Sequence, residues 1–571
     1  MSNLRLALAS ALIACCALIV SASVGMADTT GWAATQTQAL NLSAQSLGAA
    51  PATQQLEIGA ALPLRNASQI PAAIAAGQIL TPDQVQANYG PSADQVQAVE
   101  SYFKANGFTN VSADSNGLLV TGNATVAQAE QAFNTSISSY TLNGKTVYAN
   151  TAAAMVPATL AGDVAAVLGL SDIPMGLPSL TVAAATPDLT GFGPKAVANA
   201  YDDTSMKAAT GTTTAIIASG DMTSTIADLR FAEKQFGFPQ VPVSVIYDGP
   251  SAGIVNNNPL TGNLEWDLDT QISTMVPKAV KQLDVYDVAT FTDPEVARGI
   301  NLFVSQDKAQ ALSASLGECD YIAFLDGAML ATDNELAEGA LQGQSMFAST
   351  GDNGYACPEV ASTGVPEGPP GVSWPADGAY TTAVGGTTLL ADSDGNVQNE
   401  VAWIGGGGGI SPWETAEPWT LQANTAGQTW EFTNQGGRGV PDVSALADGN
   451  TPYLVYGGSA PGTQPSGVGG TSVSSPLTMG LWASIETAHS NRAGFAQYDF
   501  YNLYNAVNPA TVVDGPTGAT YVANSSPAPV KGFRDITLGT NGGCVAKAGY
   551  DYCTGIGSVQ AADLSAQLTS H

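Results

Sequence analysis

The chain has 571 residues, more than one hydrophobic core usually fills, so two folded units are expected. Its 48 acidic and 17 basic residues give a formal charge of −31 at pH 7, which argues against nucleic acid and anionic membranes as partners because no basic surface could meet their phosphates. With so few cations, low pH creates little positive self-repulsion, so the composition favours a protein of acidic surroundings; the alternative is an ordinary acidic extracellular protein.

The first 27 residues have the features of a signal peptide. Arg5 is followed by an apolar stretch over 6–20 and by small residues up to Ala27, where cleavage is predicted. Beyond this segment no stretch is apolar for the roughly 18 residues that a membrane-spanning helix needs, so no membrane anchor is predicted. We therefore expect a secreted, extracellular protein that could pass through a periplasm on its way.

Four cysteines remain beyond the signal peptide: Cys319, Cys357, Cys544 and Cys553. An even count in an oxidising compartment favours two disulfides. Cys544 and Cys553 are neighbours in sequence and form the natural pair, which leaves Cys319 for Cys357. Free buried thiols are the alternative.

The next part of the chain is predicted to hold an N-terminal extension at 28–55 and an α+β module at 56–170. Thr81 and Ser92 are the predicted N-caps of the first two helices of this module. Its predicted elements are helices that begin at Pro82 and Ala93 and over 126–133, and strands over 118–121 and 148–150.

Residues 171–192 are rich in Pro, Ala, Thr and Gly, which predicts an exposed linker where proteolysis concentrates. Residues 193–571 alternate apolar strands with helical stretches, the pattern of an open α/β sheet with its sites at the carboxyl ends of the strands. The strands predicted to be buried and parallel cover 213–218, 243–246, 321–324 and 346–349.

Histidine is almost absent. The chain has only His489, at a polar helix end typical of surface histidines, and the C-terminal His571. A Ser-His-Asp hydrolase, a Cys-His protease or a His-ligated zinc enzyme would have to depend on His489 nearly alone. A general base in this protein is therefore expected to be a carboxylate.

Ser472 is the candidate nucleophile. It lies in the sequence GGTSVSSP at 469–476, just before an apolar helical run at 477–485. Glycines let the backbone turn sharply, and a serine at a helix start lies beside free N–H groups and the positive end of the helix dipole. Ordinary loops and N-caps use the same residues.

Three carboxylates are candidate partners of this serine. Glu265 and Asp269 are four residues apart in a predicted helix and share one face, whereas Asp267 points elsewhere. Such a pair can hold a proton at acid pH, as a serine enzyme without histidine requires; a solvated acidic face is the alternative. Asp352 follows a predicted strand and, when protonated, could donate a hydrogen bond to an oxyanion, or it could be a turn aspartate.

Together these motifs resemble those of the sedolisin family of serine-carboxyl peptidases, which includes the kumamolisins. Glu-x-x-x-Asp at 265–269, Ser-x-Gly-Asp-x-Gly at 349–354 and Gly-Gly-Thr-Ser-x-x-x-Pro at 469–476 occur in the family's order, and the resemblance covers roughly residues 50–560. It implies a subtilisin-like α/β fold for 193–571, a parallel sheet flanked by helices. It also implies that 56–170 is an inhibitory propeptide domain, α+β and ferredoxin-like, and that maturation cleavage falls in 171–192.

The resemblance also implies a role for each candidate residue. Ser472 is the nucleophile and Glu265 is its general base. Asp269 orients Glu265 and shares its proton, and Asp352 donates a hydrogen bond to the tetrahedral intermediate. Leu316 stands where some relatives have an aromatic residue that extends the catalytic hydrogen-bond chain, and leucine cannot do this.

The C-terminal segment resembles the calcium loop of the same family. The resemblance implies one calcium ion held by the side chains of Asp535 and Asp551 and by the backbone carbonyls of Ile536, Lys547 and Gly549. Hard oxygen ligands of this kind are the ones that calcium prefers. Lys547 stands where relatives often have glycine, and only its carbonyl is needed.

The sequence therefore predicts a secreted, acid-active serine endopeptidase of protein or peptide substrates, a monomer without an organic cofactor. It is expected to be a zymogen that is inhibited by its own propeptide and activates itself, with acidification acting through carboxylates at the propeptide interface. The alternatives are tripeptidyl-peptidase activity, a catalytically inactive secreted binding protein on the same scaffold, and a glycosidase that uses the paired carboxylates. A glycosidase would leave Ser472 and Asp352 without roles.

Overall fold

The structure is a computed structural model that describes residues 31–175 (apart from 41, 43 and 143), 181–183, 191–247, 262–357, 370–420, 437–457, 464–515, 518–522 and 526–569. The predicted signal peptide and parts of the predicted linker lie outside these residues. Two domains are described, an α+β domain followed by an α/β domain. No helix in these ranges is long and apolar enough to cross a membrane.

The N-terminal domain packs four helices against antiparallel strands. Its helices are α1 (Ile70–Ala75), α2 (Pro82–Asn88), α3 (Ala93–Ala105) and α4 (Val126–Ala132), with 3₁₀ turns at Ala67–Gln69 and Ala158–Leu160. Its strands are β1 (Trp32–Ala34), β2 (Gln45–Ala49), β3 (Gln55–Ala61), β4 (Thr109–Ala113), β5 (Leu119–Thr125), β6 (Ile137–Leu142), β7 (Lys145–Asn150), β8 (Met155–Pro157) and β9 (Ala166–Leu168). They form sheets of order β4-β5-β3-β9 and β2-β6-β7 and the pair β1-β8.

Polar caps fix the helices of this domain where the sequence predicts them. Thr81, Ser92 and Thr125 each form a capping box with the glutamine three residues later, which pairs helix-end amides that would otherwise lack acceptors. The helices and strands predicted in this module are confirmed. Strands β1 and β2 come from the segment predicted to be an extension, 28–55, and pair with β8 and β6.

The C-terminal domain is built of nine described helices and the remaining strands. Its helices are α5 (Pro194–Ala200), α6 (Thr223–Phe236), α7 (Gly262–Met275), α8 (Asp293–Gln306), α9 (Asp320–Asp326), α10 (Ala328–Leu341), α11 (Thr471–Ala488), α12 (Ala496–Val507) and α13 (Ala561–Ser565). Its central strands are β11 (Ala209–Ala218), β12 (Val243–Tyr247), β13 (Val280–Asp287), β14 (Ala311–Ala314), β16 (Ser345–Ser349), β18 (Thr381–Ala391), β19 (Val397–Ala402) and β22 (Val443–Leu446). Shorter strands are β10 (Thr181–Ala183), β15 (Glu318–Cys319), β17 (Ser373–Trp374), β20 (Gly409–Thr415), β21 (Gly437–Val440), β23 (Tyr453–Val455), β24 (Ser466–Gly469), β25 (Thr511–Gly515), β26 (Gly518–Val522), β27 (Phe533–Arg534) and β28 (Ser558–Val559).

The central sheet has the order β12-β13-β11-β14-β16-β18-β19, and β22 also pairs with β18. Every pairing is parallel except β18 with β19. Helix α11 is buried from Thr471 to Glu486 and packs on this sheet beside α7. Because the sheet is parallel, the ends of β14 and β16 and the starts of α7 and α11 can meet at one edge.

One of the predicted strands is wrong. Residues 321–324 lie in helix α9, because an apolar run of four residues is too short for its periodicity to separate a strand from a helix. Ile322 and Ala323 are buried, whereas Tyr321 is exposed. Gly327, with a φ of +91°, ends the helix.

Both predicted disulfides form, Cys319–Cys357 and Cys544–Cys553. The first joins β15 to the chain that follows Asp352. The second closes the segment that holds three of the predicted calcium ligands.

The N-terminal domain lies against α8, α9 and α10 of the C-terminal domain. The Leu80 amide donates to the carbonyl of Leu341 over 2.8 Å. Asn116 Nδ2 donates to Asn301 Oδ1 (2.7 Å) and to Glu338 Oε2 (3.2 Å). Buried side chains of the two domains form one continuous apolar cluster, so the domains are firmly docked.

Candidate active site

Helix α7 buries two carboxyl groups on one face. Glu265 and Asp269 are 1% and 0% exposed, which is rare for ionisable side chains that lack a cation. Asp267 lies on another face of the same helix, where a Cβ added at Gly457 would come within 2.0 Å of its Oδ2. The structure therefore brings Glu265 and Asp269 together and separates Asp267 from them.

Burial raises the pKa of Glu265 well above its usual range, and the nearby charge of Asp269 raises it further. The Ser472 hydroxyl lowers the pKa of Glu265, and Asp352 has a smaller raising effect. Burial likewise raises the pKa of Asp269, against a hydrogen bond from Ser315. Two such carboxyls share protons and titrate as a pair.

Ser472 is the second residue of α11 and is fully buried. Its Oγ and Glu265 Oε1 make no hydrogen bond to any described residue, although the two side chains are close enough for Ser472 to affect the pKa of Glu265. Gly470, with a φ of +129°, turns the chain into α11, and a Cβ there would lie 2.8 Å from Asp352 Oδ2. Glycine is thus required at this position both for its backbone angle and for space.

Asp352 follows β16 and faces the start of α11. Its Oδ1 accepts hydrogen bonds from the Thr471 amide (2.6 Å) and the Thr471 hydroxyl (2.9 Å). Its Oδ2 is buried and has no partner among the described residues. Burial raises the pKa of Asp352 to about 6. Because Oδ1 accepts two hydrogen bonds, the proton that Asp352 carries below that pH belongs on Oδ2.

Ser315 is a site residue that the sequence reasoning missed. It follows β14, is fully buried, and donates from Oγ to Asp269 Oδ1 over 2.7 Å. The neighbouring Leu316 is also buried. Position alone could have indicated Ser315, because a polar residue at the carboxyl end of a parallel strand is a site candidate.

A family profile described as "Pro-kumamolisin, activation domain" matches residues 43–173. Sedolisin from Pseudomonas sp. (strain 101) is 34% identical to this chain over 95% of the chain and 93% of its own length. The chain belongs to the sedolisin family. Xanthomonalisin from Xanthomonas sp. (strain T-22) is 30% identical over 95% of this chain and 69% of its own length.

A solved structure of Pseudomonas sedolisin, described as a serine-carboxyl proteinase complexed with two molecules of pseudo-iodotyrostatin, aligns with a TM-score of 0.56 and 32% identity. The alignment covers 66% of this chain and 98% of that one. The predicted family, the α/β fold with its preceding α+β domain, and the class of serine-carboxyl peptidase are thereby confirmed. Like other sedolisins, the chain carries a propeptide domain and is a zymogen.

A piece of the predicted linker lies near Ser472. Strand β10 pairs antiparallel with β24, and Thr181 is opposite Gly469, three residues before Ser472. Ala183 is opposite Gly467, so β10 runs away from Ser472. The chain's own linker thus occupies a strand edge that leads directly to the candidate site.

Four of the five predicted calcium ligands are joined in pairs by hydrogen bonds from backbone amides. Gly549 N donates to Asp535 Oδ2 (3.1 Å), and Lys547 N donates to Asp551 Oδ2 (2.8 Å). Asp535 Oδ1 is buried and has no hydrogen-bond partner in the described chain. Burial raises the pKa of Asp551 to about 7 and raises that of Asp535.

This donor set fits a hard cation in part. A buried carboxylate, Asp551, and a half-buried one, Asp535, whose Oδ1 has no partner among the described residues, are the kind of ligands that calcium takes. No group of three or more His, Cys, Asp or Glu side chains within the described ranges could hold a metal. A calcium ion here would therefore need backbone carbonyls, as the sequence prediction has it.

Proposed function

We propose that this sedolisin is a secreted, acid-active endopeptidase with Ser472 as its nucleophile and Glu265 as its general base. One observation carries the proposal: Glu265 from α7 and Ser472 from α11 lie side by side in a buried site, with Asp352 also within electrostatic reach of Glu265. Asp269, one helical turn along α7, completes the site. Export is supported by the signal-like first 27 residues and by two disulfides, which persist in oxidising compartments.

The chemistry is acyl transfer to serine. Ser472 Oγ attacks the carbonyl carbon of the substrate, and its proton passes to the ionised Glu265, which Asp269 orients. The protonated Asp352 donates from Oδ2 to the carbonyl oxygen as it becomes an oxyanion. Glu265 then gives the proton to the leaving amine. A water molecule then gives a proton to Glu265 and attacks the acyl carbon, and Glu265 passes that proton to Ser472 Oγ as the acyl group leaves.

Carboxyl chemistry sets an acidic working range. The pair of Glu265 and Asp269 must have lost one proton for Glu265 to act as a base, and Asp352 must keep its proton to act as a donor. Because the pKa of Asp352 is raised to about 6, the donor is lost as the pH rises through that value. Activity is therefore expected at acid pH.

Self-activation follows from the position of the linker. The N-terminal domain is the intramolecular inhibitor, and we propose that Ser472 itself cuts the chain within 171–192. The pairing of β10 with β24 supports this route because it places the linker next to the nucleophile. Mature enzyme from a Ser472→Ala chain would rule out self-cleavage.

We also propose one calcium ion, held by Asp535 and Asp551 and by the carbonyl oxygens of Ile536, Lys547 and Gly549. Calcium would neutralise the carboxylates of Asp535 and Asp551 and stiffen the loop that Cys544–Cys553 closes. A chelator should lower the Tm of the wild type. The Tm of Asp551→Asn should no longer respond to chelation.

The deciding experiment is casein hydrolysis between pH 2 and 8 by the wild type, Glu265→Ala and Asp267→Asn, with and without a chelator. Asp267 is the matched control because it is a buried carboxyl of the same helix that faces Gly457. We expect activity at acid pH from the wild type and Asp267→Asn and almost none from Glu265→Ala. Equal activity in all three proteins would refute the mechanism.

The same assay separates the alternatives. An inactive binding protein would cut neither casein nor small peptides, and a glycosidase would act on polysaccharide. A tripeptidyl-peptidase would need a free N-terminus, so peptides blocked at that end should be cut only by an endopeptidase. Gel filtration of the active protein tests the expected monomer.

A further inference from the structure

Ser315 connects the carboxyl pair to the nucleophile's helix. Its Oγ lies 2.7 Å from Asp269 Oδ1 and 3.4 Å from the backbone carbonyl oxygen of Ser472. A serine hydroxyl has one hydrogen to donate. Asp269 Oδ1 is the nearer of the two oxygens and, as a carboxylate oxygen, the stronger acceptor. The hydroxyl hydrogen of Ser315 therefore points to Asp269.

We propose that Ser315 is a positioning residue: it occupies Asp269 Oδ1, so that Oδ2 is the oxygen of Asp269 that shares a proton with Glu265. Oδ1 accepts from Ser315 and so cannot also carry the proton at that contact. Oδ2 is buried and has no hydrogen-bond partner in the described part of the chain. It is therefore the oxygen left to hold the shared proton toward Glu265, which leaves Glu265 free to accept the proton of Ser472. This inference rests on the proposed function.

The surroundings of Asp269 make this one hydrogen bond important. Asp269 is fully buried, and no Lys, Arg or His is among the groups that affect its pKa. The titratable groups of the site are Glu265 on the same helix and Asp352 after β16, both acidic. The charge-assisted hydrogen bond from Ser315 thus stabilises the single negative charge that Glu265 and Asp269 share after the pair has lost one proton. Without it, the pair would release its first proton at a higher pH.

The chain offers a matched control in the same strand. Ser313 is two residues earlier, fully buried, and hydrogen-bonded to Ser475 of α11 over 2.8 Å. Ser313→Ala removes a hydroxyl between β14 and α11, the helix of Ser472, but does not touch the carboxyl pair on α7. Any general loosening of β14 against α11 should appear in both alanine variants.

The test is kcat/KM against pH for the wild type, Ser315→Ala, Ser315→Cys and Ser313→Ala, with a peptide substrate. In Ser315→Ala, loss of the hydrogen bond should move the acid limb of the profile, the rise of kcat/KM at low pH, to higher pH by about 1–2 units. Ser315→Cys should shift the limb in the same direction, because a thiol is a weak donor. Ser315→Thr keeps the hydroxyl and should keep the wild-type limb. In Ser313→Ala the limb should stay in place even if the rate falls.

The outcomes separate the two proposals. If Glu265→Ala retains wild-type activity, the proposed function fails and this inference fails with it. If Glu265→Ala is inactive but the acid limb of Ser315→Ala coincides with that of the wild type, only the role of Ser315 is refuted. Should Ser315→Ala fail to fold, Ser315→Cys replaces it in the test, because cysteine is close to serine in size. An acid limb of Ser315→Cys that coincides with that of the wild type would then refute the role of Ser315.

Discussion

In the proposed mechanism, the proton of Asp352 sets the upper end of the pH range. Its Oδ1 is held by the amide and hydroxyl of Thr471, and its free Oδ2 lies beside the space that only Gly470 leaves open. An asparagine at this position could accept at Oδ1 and donate from Nδ2 at every pH. The aspartate donates only while it is protonated.

This difference gives a test at a single residue. Asp352→Ala should lose on the order of 10²–10³ in kcat, the usual cost of one oxyanion donor. Asp352→Asn should keep much of the activity at pH 4 and lose the fall in rate near pH 6 that the raised pKa of Asp352 imposes. Rate profiles of the three proteins on one peptide check both points. An unchanged fall near pH 6 in Asp352→Asn would show that another group sets the limb.

At the scale of residues, the sequence predicts which residues form the site better than it predicts the hydrogen bonds between them. Glu265, Asp352 and Ser472 stand in recognisable motifs, and the structure brings them together. Ser315 does not, because a serine beside a strand is common and its meaning depends on a contact with a helix 46 residues away. The hydrogen-bond partner of a buried acid depends on the tertiary structure and cannot be predicted from a local sequence pattern.

At the scale of elements, the docking of the propeptide depends on buried polar contacts with α8 and α10. Asn116 bridges Asn301 and Glu338 there. Burial raises the pKa of Glu338 to about 7 and raises that of Glu335 well above its usual range. The hydrogen bond that Asn116 donates across the interface lowers the pKa of Glu338, so this contact favours the ionised carboxylate.

Asn116→Ala should loosen this contact. It leaves buried polar groups on α8 and α10 without a partner, at a cost of about 1–3 kcal/mol. In a Ser472→Ala background, which prevents self-cleavage, hydrogen exchange of the Leu80 amide should become roughly tenfold faster or more. Ser112→Ala, an exposed change on β4, is the control and should leave that exchange unaltered. If the Leu80 amide exchanged at the same rate in all proteins, the contacts of Asn116 would not contribute to docking.

The register of β10 on β24 predicts where maturation cleavage falls. Thr181 is the end of β10 nearer the nucleophile, since it pairs with Gly469, whereas Ala183 pairs with Gly467. A bond attacked by Ser472 therefore precedes Thr181. N-terminal sequencing of the mature enzyme should find a first residue between 176 and 181. A mature chain that begins after Ala183 would contradict this assignment.

Local signals account for much of the element pattern. Capping boxes at Thr81 and Ser92 mark helix starts because they accept hydrogen bonds from backbone amides of the first helical turn. Both N-caps are at the residues that the sequence predicts. Residues 321–324 are predicted to be a strand but form a helix, because four apolar residues fit either element equally well. Their apolar side chains cover only one side of α9, and the N-terminal domain meets this helix where Gln38 N donates to the Leu325 carbonyl.

For the whole molecule, low pH stabilises the fold through buried acids. Burial raises the pKa to about 7 in Asp287, Asp320, Glu338 and Glu417 and to about 8 in Glu486. The ordinary pKa of such groups is about 4. Between these values the native state binds more protons than the unfolded state, so the free energy of unfolding falls as the pH rises from about 4 to 8.

The Tm of the Ser472→Ala zymogen should therefore drop by about 5 °C or more between pH 4 and pH 8. Asp320 is the group to test, because it is buried and accepts from Ser411 Oγ over 2.8 Å. An asparagine there can accept the same hydrogen bond and has no proton to lose, so Asp320→Asn should flatten the Tm profile above pH 6. The low content of Lys and Arg acts in the same direction, since little cationic repulsion develops at pH 4. A Tm that rises from pH 4 to pH 8 would show that salt bridges outweigh the buried acids.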